Sequence, residues 1–331
     1  MERLLEVRNL KVSYHTYSGE VQAVRGADFH LDKGETLAIV GESGCGKTAA
    51  AKAIMRLIDK NFGEIKESSE IIFEGRDVLA LGKKEIMKLR GGEIGMIFQD
   101  PMSSLNPTMK IGDQIAESLM LHCGMRRKPA FRKASEMLKQ VHINEWEIMA
   151  HRYPHEFSGG MRQRVMIAMA AACSPKILIA DEPTTALDMT IQGEILGLLR
   201  ELKEKRGTAM LMITHDLAIA EGIADRVHIM YAGEIVEKAD RSALFSNPAH
   251  PYTKALLKSA PGPDSEHKSR LFSLEGAPPD LIKPIIGCAF SQRCSCCMPV
   301  CLDRKPGLAA IEGTHEAACW KLLQGSGGGP V

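Results

Sequence analysis

The sequence GESGCGKT, at residues 41–48, constrains this chain more than any other feature. It matches the spacing G-x-x-x-x-G-K-[ST] of a phosphate-binding loop, and it lies in the setting that such a loop requires. Residues 35–40 before it, which are mostly apolar, predict a strand, and the alanine-rich residues 47–57 after it predict a helix. Gly44 and Gly46 allow the backbone to curl, so that successive N–H groups and the helix N-terminus face phosphate oxygens. A chance glycine-rich loop would lack these flanks.

The side chains of this loop have separate predicted tasks. Lys47 supplies a positive charge for the β- and γ-phosphates, and Thr48 supplies a hydroxyl that can ligate Mg²⁺. Cys45 also lies in the loop, but its thiol is expected to be incidental because backbone groups do the binding. The residues of this region that are predicted to bind ATP are Gly41, Glu42, Ser43, Gly44, Cys45, Gly46, Lys47, Thr48 and Ala49.

A second motif, KILIADEPTTALD, predicts a strand that ends in two carboxylates. Residues 177–180 are apolar and lead to Asp181 and Glu182, and α/β sheets bind their ligands at the carboxyl ends of strands. Asp181 is predicted to belong to the Mg²⁺ shell, and Glu182 to polarise the water that attacks the γ-phosphate. Adjacent carboxylates on a turn could instead be solvated charges. The loop at 41–48 favours the catalytic interpretation.

Composition argues against several other classes of protein. Hydrophobic residues make up 44% and charged residues 25% of the chain, which are ordinary values for a globular protein. A formal charge of +1 gives no reason to expect a nucleic-acid partner. The N-terminal residues lack the apolar run of an export signal, and the longest apolar stretch, residues 165–180, is interrupted by Ser174, Pro175 and Lys176. We therefore expect a soluble chain, held by other subunits if it works at a membrane.

Strand and helix signals alternate along the chain, which predicts an α/β fold. The length of 331 residues suits one main domain with an appendage. Helical periodicity with many charges predicts an inserted helical subdomain, and recurring prolines after residue 243 mark a further region. The predicted organisation is a core at 1–102 and 158–242, a helical subdomain at 103–157, a cysteine-rich extension at 243–324, and a flexible tail or added residues at 325–331.

The motif FSGGMRQR, at residues 157–164, decides the class of nucleotide-binding protein. It resembles the signature sequence of the ATP-binding-cassette (ABC) ATPases, and the order of the other motifs is similar to that of the family. The resemblance implies a P-loop NTPase core, ATP and Mg²⁺ as ligands, and ATP hydrolysis as the activity. It also implies a dimer, since the signature would contact ATP held by an opposite subunit. The signature residues concerned are Ser158, Gly159, Gly160 and Met161.

Four further residues take their predicted roles from the same resemblance. Gln99 in MIFQDP would sense Mg²⁺ and couple to membrane subunits, and His215 in MLMITHD would hold the γ-phosphate and the water. Asp188 in TTALD would form the D-loop, and Tyr14 would stack on adenine. Tyr14 could instead be a core residue, Gln99 a loop residue and His215 a capping side chain. The predicted catalytic residues are Lys47, Glu182 and His215, and the predicted Mg²⁺ ligands are Thr48, Gln99 and Asp181.

The most specific resemblance lies near the C-terminus. The sequence NPAHPYTKALLKSAP, at residues 247–261, with GAPPDL and GCAFSQRC after it, is similar to the ATPases of dipeptide and oligopeptide importers. Met161 at the signature turn is common in the same branch. Related importers of nickel and glutathione share much of this pattern. The resemblance implies a second, similar ATPase as partner, two transmembrane permeases and an extracytoplasmic solute-binding protein, with this chain on the cytoplasmic face of the membrane.

Other classes of ABC protein fit the sequence less well. A DNA-repair ATPase would carry a long coiled coil between its ATPase halves, and a translation-type protein would carry two cassettes in one chain. An exporter is the nearest competitor, but exporter ATPases are often fused to membrane helices and the C-terminal resemblance favours import. The remaining alternative is a metal or redox sensor in the extension, with ATPase activity subordinate to it.

The sequence has nine cysteines, several of which lie in one segment, residues 288–319, called here the cysteine segment. Without an export signal, cysteines favour reduced thiols or metal ligands over disulfides. Their spacing is unlike the paired spacing of zinc ribbons, and the family resemblance points to a [4Fe–4S] cluster, with zinc or no metal as alternatives. The predicted cluster ligands are Cys288, Cys294, Cys301 and Cys319, with Cys296 and Cys297 as extra cysteines that could substitute. Cys123 and Cys173, on predicted helices, are expected to be small buried side chains.

Overall fold

The structure, a computed structural model, describes residues 2–185, 187–259 and 274–323. The predicted tail at 325–331 lies outside the described residues. The described strands are β1 (Arg3–Thr16), β2 (Gly19–Asp32), β3 (Thr36–Val40), β4 (Gly63–Ile65), β5 (Glu70–Phe73), β6 (Arg76–Asp77), β7 (Ile94–Ile97), β8 (Ile177–Asp181), β9 (Ala209–Thr214), β10 (Arg226–Tyr231), β11 (Glu234–Asp240), β12 (Ala309–Glu312) and β13 (His315–Ala317). The described α-helices are α1 (Lys47–Ile54), α2 (Lys83–Lys88), α3 (Pro101–Ser104), α4 (Ile111–Cys123), α5 (Arg127–Gln140), α6 (Trp146–Met149), α7 (Gly159–Ala171), α8 (Met189–Arg206), α9 (Leu217–Ile223), α10 (Arg241–Ser246), α11 (Pro251–Ser259), α12 (Val300–Asp303) and α13 (Trp320–Leu323).

The described chain divides into two compact units. The first contains residues 2–4, Leu31–Thr36 and Asp77–Ile213. The second contains Leu5–His30, Leu37–Arg76 and the described residues from Thr214 onward. Both units combine helices with strands, which confirms the α/β prediction.

Three parallel strands organise the first unit. β8 pairs in parallel with β7 on one side and with β9 on the other. All residues of β8 and β9 are buried, as is typical of parallel strands covered on both faces. Because the strands run in the same direction, the carboxyl ends of β7 and β8 lie at one edge of the sheet. That edge carries the residues after Ile97 and after Ala180.

Helices α4, α5 and α6 lie in the segment 103–157, where the sequence predicts helices. The buried residues of α5 recur at intervals of three and four positions, so that one face of this charged helix is apolar. These buried residues include Ala130, Ala134, Met137 and Leu138. The charged residues between them face away from the packed side.

The second unit contains two groups of paired strands. In one, β10 pairs in parallel with β3 and antiparallel with β11, while β13 joins β11 to β12. In the other, β1 lies between β2 and β5, and β4 also pairs with β1. The C-terminal strands β12 and β13 therefore extend the same group of strands as β3, which leads into the loop at 41–48.

A buried carboxylate fixes the C-terminal extension to this unit. Glu237 of β11 is 0% exposed, and its Oε1 lies 2.7 Å from Nε2 of His315 in β13. The backbone N–H groups of Ala249 and His250 donate to its two carboxylate oxygens at 2.7 and 2.9 Å. An unpaired buried carboxylate would be strongly destabilising. The positions of residues 249–250 and of β13 are therefore both fixed by the Glu237 side chain.

Candidate active site

The predicted phosphate-binding loop joins β3 to α1. β3 ends at Val40, α1 begins at Lys47, and Gly46 before it adopts φ +105°. The Lys47 side chain is 4% exposed, and its Nζ donates to the carbonyl oxygens of Gly41 at 2.7 Å and of Glu42 at 3.0 Å. The loop thus holds the ammonium group inside its own curve, next to a helix N-terminus that also favours an anion.

Two glycines of the loop are required by the close approach of other backbone segments. A Cβ atom on Gly41 would lie 2.1 Å from the carbonyl oxygen of Met230, and one on Gly46 would lie 2.2 Å from that of Ala23. Both distances are far below any van der Waals contact. A side chain at either position would push the loop away from β10 or β2 and change the direction of its N–H groups.

The remaining residues of the loop differ in exposure. Ser43 is exposed, whereas Cys45 and Ala49 are buried and Thr48 is half-buried. Burial raises the pKa of the Cys45 thiol, and the Cys45 carbonyl accepts a hydrogen bond from the N–H of Gly233 at 2.9 Å. Cys45 is therefore a protonated packing group whose backbone anchors the loop, which agrees with the prediction that its thiol is incidental.

In the first unit, two hydrogen bonds orient the predicted catalytic carboxylate. Gln99 Nε2 and Thr185 Oγ1 each donate to Glu182 Oε2 at 2.9 Å. The Glu182 backbone adopts φ +48°, which is uncommon for a residue other than glycine, and its N–H donates to the carbonyl oxygen of Ile213 at 2.9 Å. Asp181, at the end of β8, is 2% exposed. The structure thus brings together Gln99 and Glu182, which the sequence predicted from separate motifs.

The signature residues begin a helix. Ser158 is the N-cap of α7, and its Oγ accepts a hydrogen bond from the Met161 N–H at 3.4 Å. Ser158 and Gly159 are exposed, while Gly160 is buried against α8, where a Cβ atom would lie 2.9 Å from Ile191 Cγ2. An exposed helix N-terminus that begins with serine and glycine is suited to contact a phosphate presented by another subunit.

Asp188, His215 and Tyr14 occupy three different local settings. Asp188 is exposed and caps α8, since its Oδ1 accepts a hydrogen bond from the Ile191 N–H at 3.0 Å. His215 is exposed between β9 and α9. Tyr14 is half-buried in β1 opposite Gly63, and burial raises its pKa. Their roles in the D-loop, in catalysis and in adenine stacking stay predictions.

The predicted iron–sulfur cluster is not supported by the structure. Among the described residues, no group of three or more His, Cys, Asp or Glu side chains could hold a metal ion. Cys288 nevertheless lies near the other three cysteines: its backbone N–H donates to the Cys301 carbonyl oxygen at 2.8 Å, and burial together with the thiols of Cys301, Cys294 and Cys319 raises its pKa to about 11.

The two cysteines outside the loop and the cysteine segment also differ from expectation. Cys123, the last residue of α4, is exposed, so the prediction of a buried side chain is wrong there. Cys173 is half-buried beyond the end of α7, and its Sγ donates to the Ser118 carbonyl oxygen at 3.4 Å. Burial and the nearby Cys123 raise the pKa of Cys173 to about 12.

Three residues that the sequence analysis missed contact the predicted site. Thr185 donates to Glu182, as described above. The Tyr252 hydroxyl accepts a hydrogen bond from the Glu42 N–H at 3.0 Å, and the Arg293 guanidinium pairs with the Glu42 carboxylate. Tyr252 and Arg293 belong to the C-terminal motifs that carry the family resemblance. Their contacts join residues 210 and 251 positions apart, which motif spacing does not reveal.

Comparison with known proteins gives the family. The family model described as "ABC transporter" matches residues 24–185, and the model described as "Oligopeptide/dipeptide transporter, C-terminal region" matches residues 236–301. The oligopeptide transport ATP-binding protein OppD of Bacillus subtilis is 52% identical over 97% of this chain and 89% of its own length. The dipeptide transport ATP-binding protein DppD of Lactococcus lactis is 50% identical over 97% of this chain and 91% of its own length.

A solved structure agrees with this result. The dimeric ATP-binding cassette MJ0796, in a post-hydrolysis state bound to ADP and Pi, has a TM-score of 0.64 and 28% identity, over 72% of this chain and 99% of that chain. Together with the phosphate-binding loop and the oriented carboxylate, these similarities define an ABC ATPase. The chain belongs to the ATP-binding proteins of the oligopeptide/dipeptide transporter family. The family predicted from the signature and C-terminal motifs is therefore confirmed.

We predict that Thr185→Val lowers kcat for ATP hydrolysis about tenfold and leaves KM for ATP within about twofold, because the Glu182 carboxylate loses one of its orienting hydrogen bonds. Steady-state ATPase assays of the full chain measure both constants. Thr208→Val is a matched control, since the Thr208 hydroxyl donates to the Pro175 carbonyl oxygen at 3.1 Å in the same unit. That control should lower stability without changing kcat. An equal loss of kcat in both variants would show that the Thr185 contact is not specific to catalysis.

Proposed function

We propose that this chain hydrolyses ATP to energise an importer of dipeptides or oligopeptides across the cytoplasmic membrane. The observation that carries the proposal is a phosphate-binding loop and an oriented catalytic carboxylate on one chain whose residues 236–301 match the oligopeptide/dipeptide transporter C-terminal region. The named relatives are an oligopeptide and a dipeptide transport ATP-binding protein, and both match almost the whole chain. Those names give the substrate class.

The loop residues account for nucleotide binding. Backbone N–H groups at Gly44 and Gly46 and the ammonium group of Lys47 would bind the phosphates of ATP. The backbone of Ala49, in the first turn of α1, and the exposed Ser43 would complete the binding site. Tyr14 would stack on adenine, and its half-buried ring has the apolar surface that stacking needs.

Oxygen ligands suited to Mg²⁺ occur at the predicted positions. The Thr48 hydroxyl lies in the first turn of α1, the Asp181 carboxylate ends β8, and Gln99 follows β7. Mg²⁺ prefers oxygen ligands and binds through a few protein groups together with substrate phosphates, so each of these side chains is of a type that the ion binds. When bound, Mg²⁺ would neutralise charge on the β- and γ-phosphates.

Hydrolysis needs a water molecule aimed at the γ-phosphorus. Glu182 would accept a proton from that water as the water oxygen attacks the γ-phosphorus. The bond between the γ-phosphorus and the oxygen that bridges to the β-phosphate would then break, so that ADP leaves and inorganic phosphate is the second product. Hydrogen bonds from Gln99 and Thr185 restrict the rotation of the Glu182 carboxylate and so reduce the entropy lost in reaching this arrangement. His215 would hold the γ-phosphate and the water in line.

A dimeric arrangement is supported by the exposed signature helix. Ser158, Gly159 and the D-loop residue Asp188 are exposed, and MJ0796 is dimeric in its post-hydrolysis state. We infer that a second, homologous ATPase supplies the opposite half, so that ATP would lie between the P-loop of one subunit and the signature of the other. Closure around ATP and release after hydrolysis would then drive the transport cycle.

The remaining partners follow from the family. Among the helices of the residues described, none combines the length and apolarity needed to span a bilayer. Two transmembrane permease subunits would carry the peptide, and an extracytoplasmic solute-binding protein would deliver it to them. This chain would act as a peripheral subunit on the cytoplasmic face of the membrane, where ATP is available. It would not contact the transported peptide.

We predict that Glu182→Gln abolishes peptide uptake, because removal of the proton acceptor lowers ATP turnover more than about 100-fold while the P-loop still binds ATP. Uptake of labelled dipeptides and longer peptides is measured in cells that express the chain with its permease and solute-binding partners, with nickel and glutathione as competitors. Glu204→Gln, at an exposed position of α8, is the matched control and should transport normally. Uptake that persists in Glu182→Gln cells, or that nickel or glutathione outcompetes, would contradict peptide import by this chain.

The finer prediction of a [4Fe–4S] cluster remains a proposal that rests on thiol chemistry and on the proximity of the four cysteines. The full chain, purified without oxygen, would then contain near-stoichiometric iron and acid-labile sulfide, and Cys301→Ser would lose both. Cys296→Ser, at an exposed neighbouring cysteine, is the control and should retain them. Zinc in place of iron, or protein free of bound metal, would contradict the cluster.

A further inference from the structure

A single arginine in the cysteine segment links several parts of the second unit. The Arg293 side chain is 5% exposed, and each of its five N–H bonds has an acceptor. Two donate to the Glu42 carboxylate oxygens, at 2.7 and 3.0 Å, and one to the Tyr231 hydroxyl at 3.3 Å. The others donate to the carbonyl oxygens of Leu274 at 3.3 Å and Glu275 at 3.1 Å. A fully satisfied planar guanidinium is a rigid connector, which a lysine would not reproduce.

The acceptor Glu42 is the second residue of the phosphate-binding loop. Its N–H donates to the Tyr252 hydroxyl at 3.0 Å, and its carbonyl oxygen accepts from Lys47 Nζ at 3.0 Å. Its carboxylate forms the bidentate pair with Arg293. The amide, the carbonyl and the side chain of this one residue are therefore all held, and two of the three contacts come from the C-terminal extension.

The extension is also packed firmly where these contacts originate. Tyr231 of β10, Tyr252 of α11 and Phe290 beside the cysteine segment's first cysteine form a ring cluster with centroids 4.6 to 5.4 Å apart. Aromatic packing of this kind is stabilising beyond the buried area alone. Arg293 lies three residues after Phe290, so this packing restricts its position. A displacement of the cysteine segment would therefore displace Arg293 and, through it, the loop.

The charge balance gives the contact a functional consequence. A carboxylate in the loop that binds ATP would repel the phosphates, since like charges close together in a partly buried setting interact strongly. The bidentate guanidinium neutralises that charge, since an arginine side chain stays protonated in proteins. Without Arg293, Glu42 would leave an uncompensated negative charge beside the P-loop and would free one anchor of the loop.

We propose that Arg293 is a positioning residue for ATP binding: it holds the P-loop through Glu42, neutralises the Glu42 carboxylate, and thereby makes the affinity for ATP depend on the cysteine segment. The inference rests on the proposed nucleotide-binding role of the loop. It assigns to the extension a direct task in the ATPase cycle, in addition to any role in recognising the transporter.

The test is ATP binding by the full chain, measured as the Kd of a fluorescent ATP analogue, together with KM and kcat for ATP hydrolysis. Arg293→Gln should raise Kd and KM about tenfold, equivalent to about 1.4 kcal/mol, and leave kcat at saturating ATP within about twofold. Arg293→Lys keeps the positive charge but not the planar guanidinium. Its Kd and KM should therefore lie between those of the wild type and those of Arg293→Gln. The double variant Arg293→Gln with Glu42→Gln should recover most of the affinity, because it removes the uncompensated carboxylate.

The control is Lys305→Met, since the Lys305 ammonium pairs with Glu234 at 2.8 Å and also ties the cysteine segment to β11, but does not reach the loop. It should leave Kd unchanged. Thermal unfolding of each variant separates lost affinity from lost folding. An Arg293→Gln variant that is folded and binds ATP like the wild type overturns the inference, and so does a double variant that binds more weakly than Arg293→Gln alone. A wild-type chain that does not bind ATP would instead overturn the proposed function.

Discussion

The close approach of backbone to backbone around the phosphate-binding loop is the constraint on which the rest of this structure depends. Gly41 and Gly46 touch the carbonyl oxygens of Met230 and Ala23 so closely that no Cβ atom fits at either position. The loop is therefore pressed between β10 and β2, and its N–H groups and Lys47 acquire fixed directions. Phosphate binding is a consequence of this packing as much as of the loop's own sequence.

The predicted catalytic carboxylate, that of Glu182, is positioned in a different way. Glu182 follows a buried parallel strand and adopts a left-handed backbone conformation. Its N–H donates a hydrogen bond to the Ile213 carbonyl oxygen, and its carboxylate accepts hydrogen bonds from Gln99 and Thr185. The strand before it is buried and paired on both sides, so the chain has little freedom where this uncommon backbone conformation occurs. Such local strain is characteristic of functional positions in α/β enzymes.

Local motifs and long-range contacts differ in how well the sequence predicts them. The loop at 41–48 and the strand before Asp181 were predictable because each depends on neighbouring residues, through glycine conformation, helix propensity and an apolar run. Arg293, Tyr252 and the buried Glu237 were not, because their partners are distant in the chain and only folding brings them together. Tyr252 and Arg293 hold Glu42 of the loop, and Glu237 holds β13.

The cysteines show the same limit in another form. Spacing and family resemblance give the identity of Cys288 and its neighbours but not their distances or protonation states. In the structure burial raises the pKa of Cys288, and no described group of ligands is arranged for a metal. The sequence thus predicts the type of ligand. Whether four thiols form a metal site depends on distances that only the folded structure gives.

Reconstitution in liposomes measures directly whether ATP hydrolysis by this chain drives peptide import. The chain, its partner ATPase and the two permeases are placed in liposomes with ATP on the side of the ATPases, and the peptide-loaded solute-binding protein is added on the other side. ATP hydrolysis and peptide accumulation should increase together, and both should stop when ATP is withheld. Peptide accumulation without ATP, or hydrolysis that never moves peptide, would contradict ATP-driven peptide import.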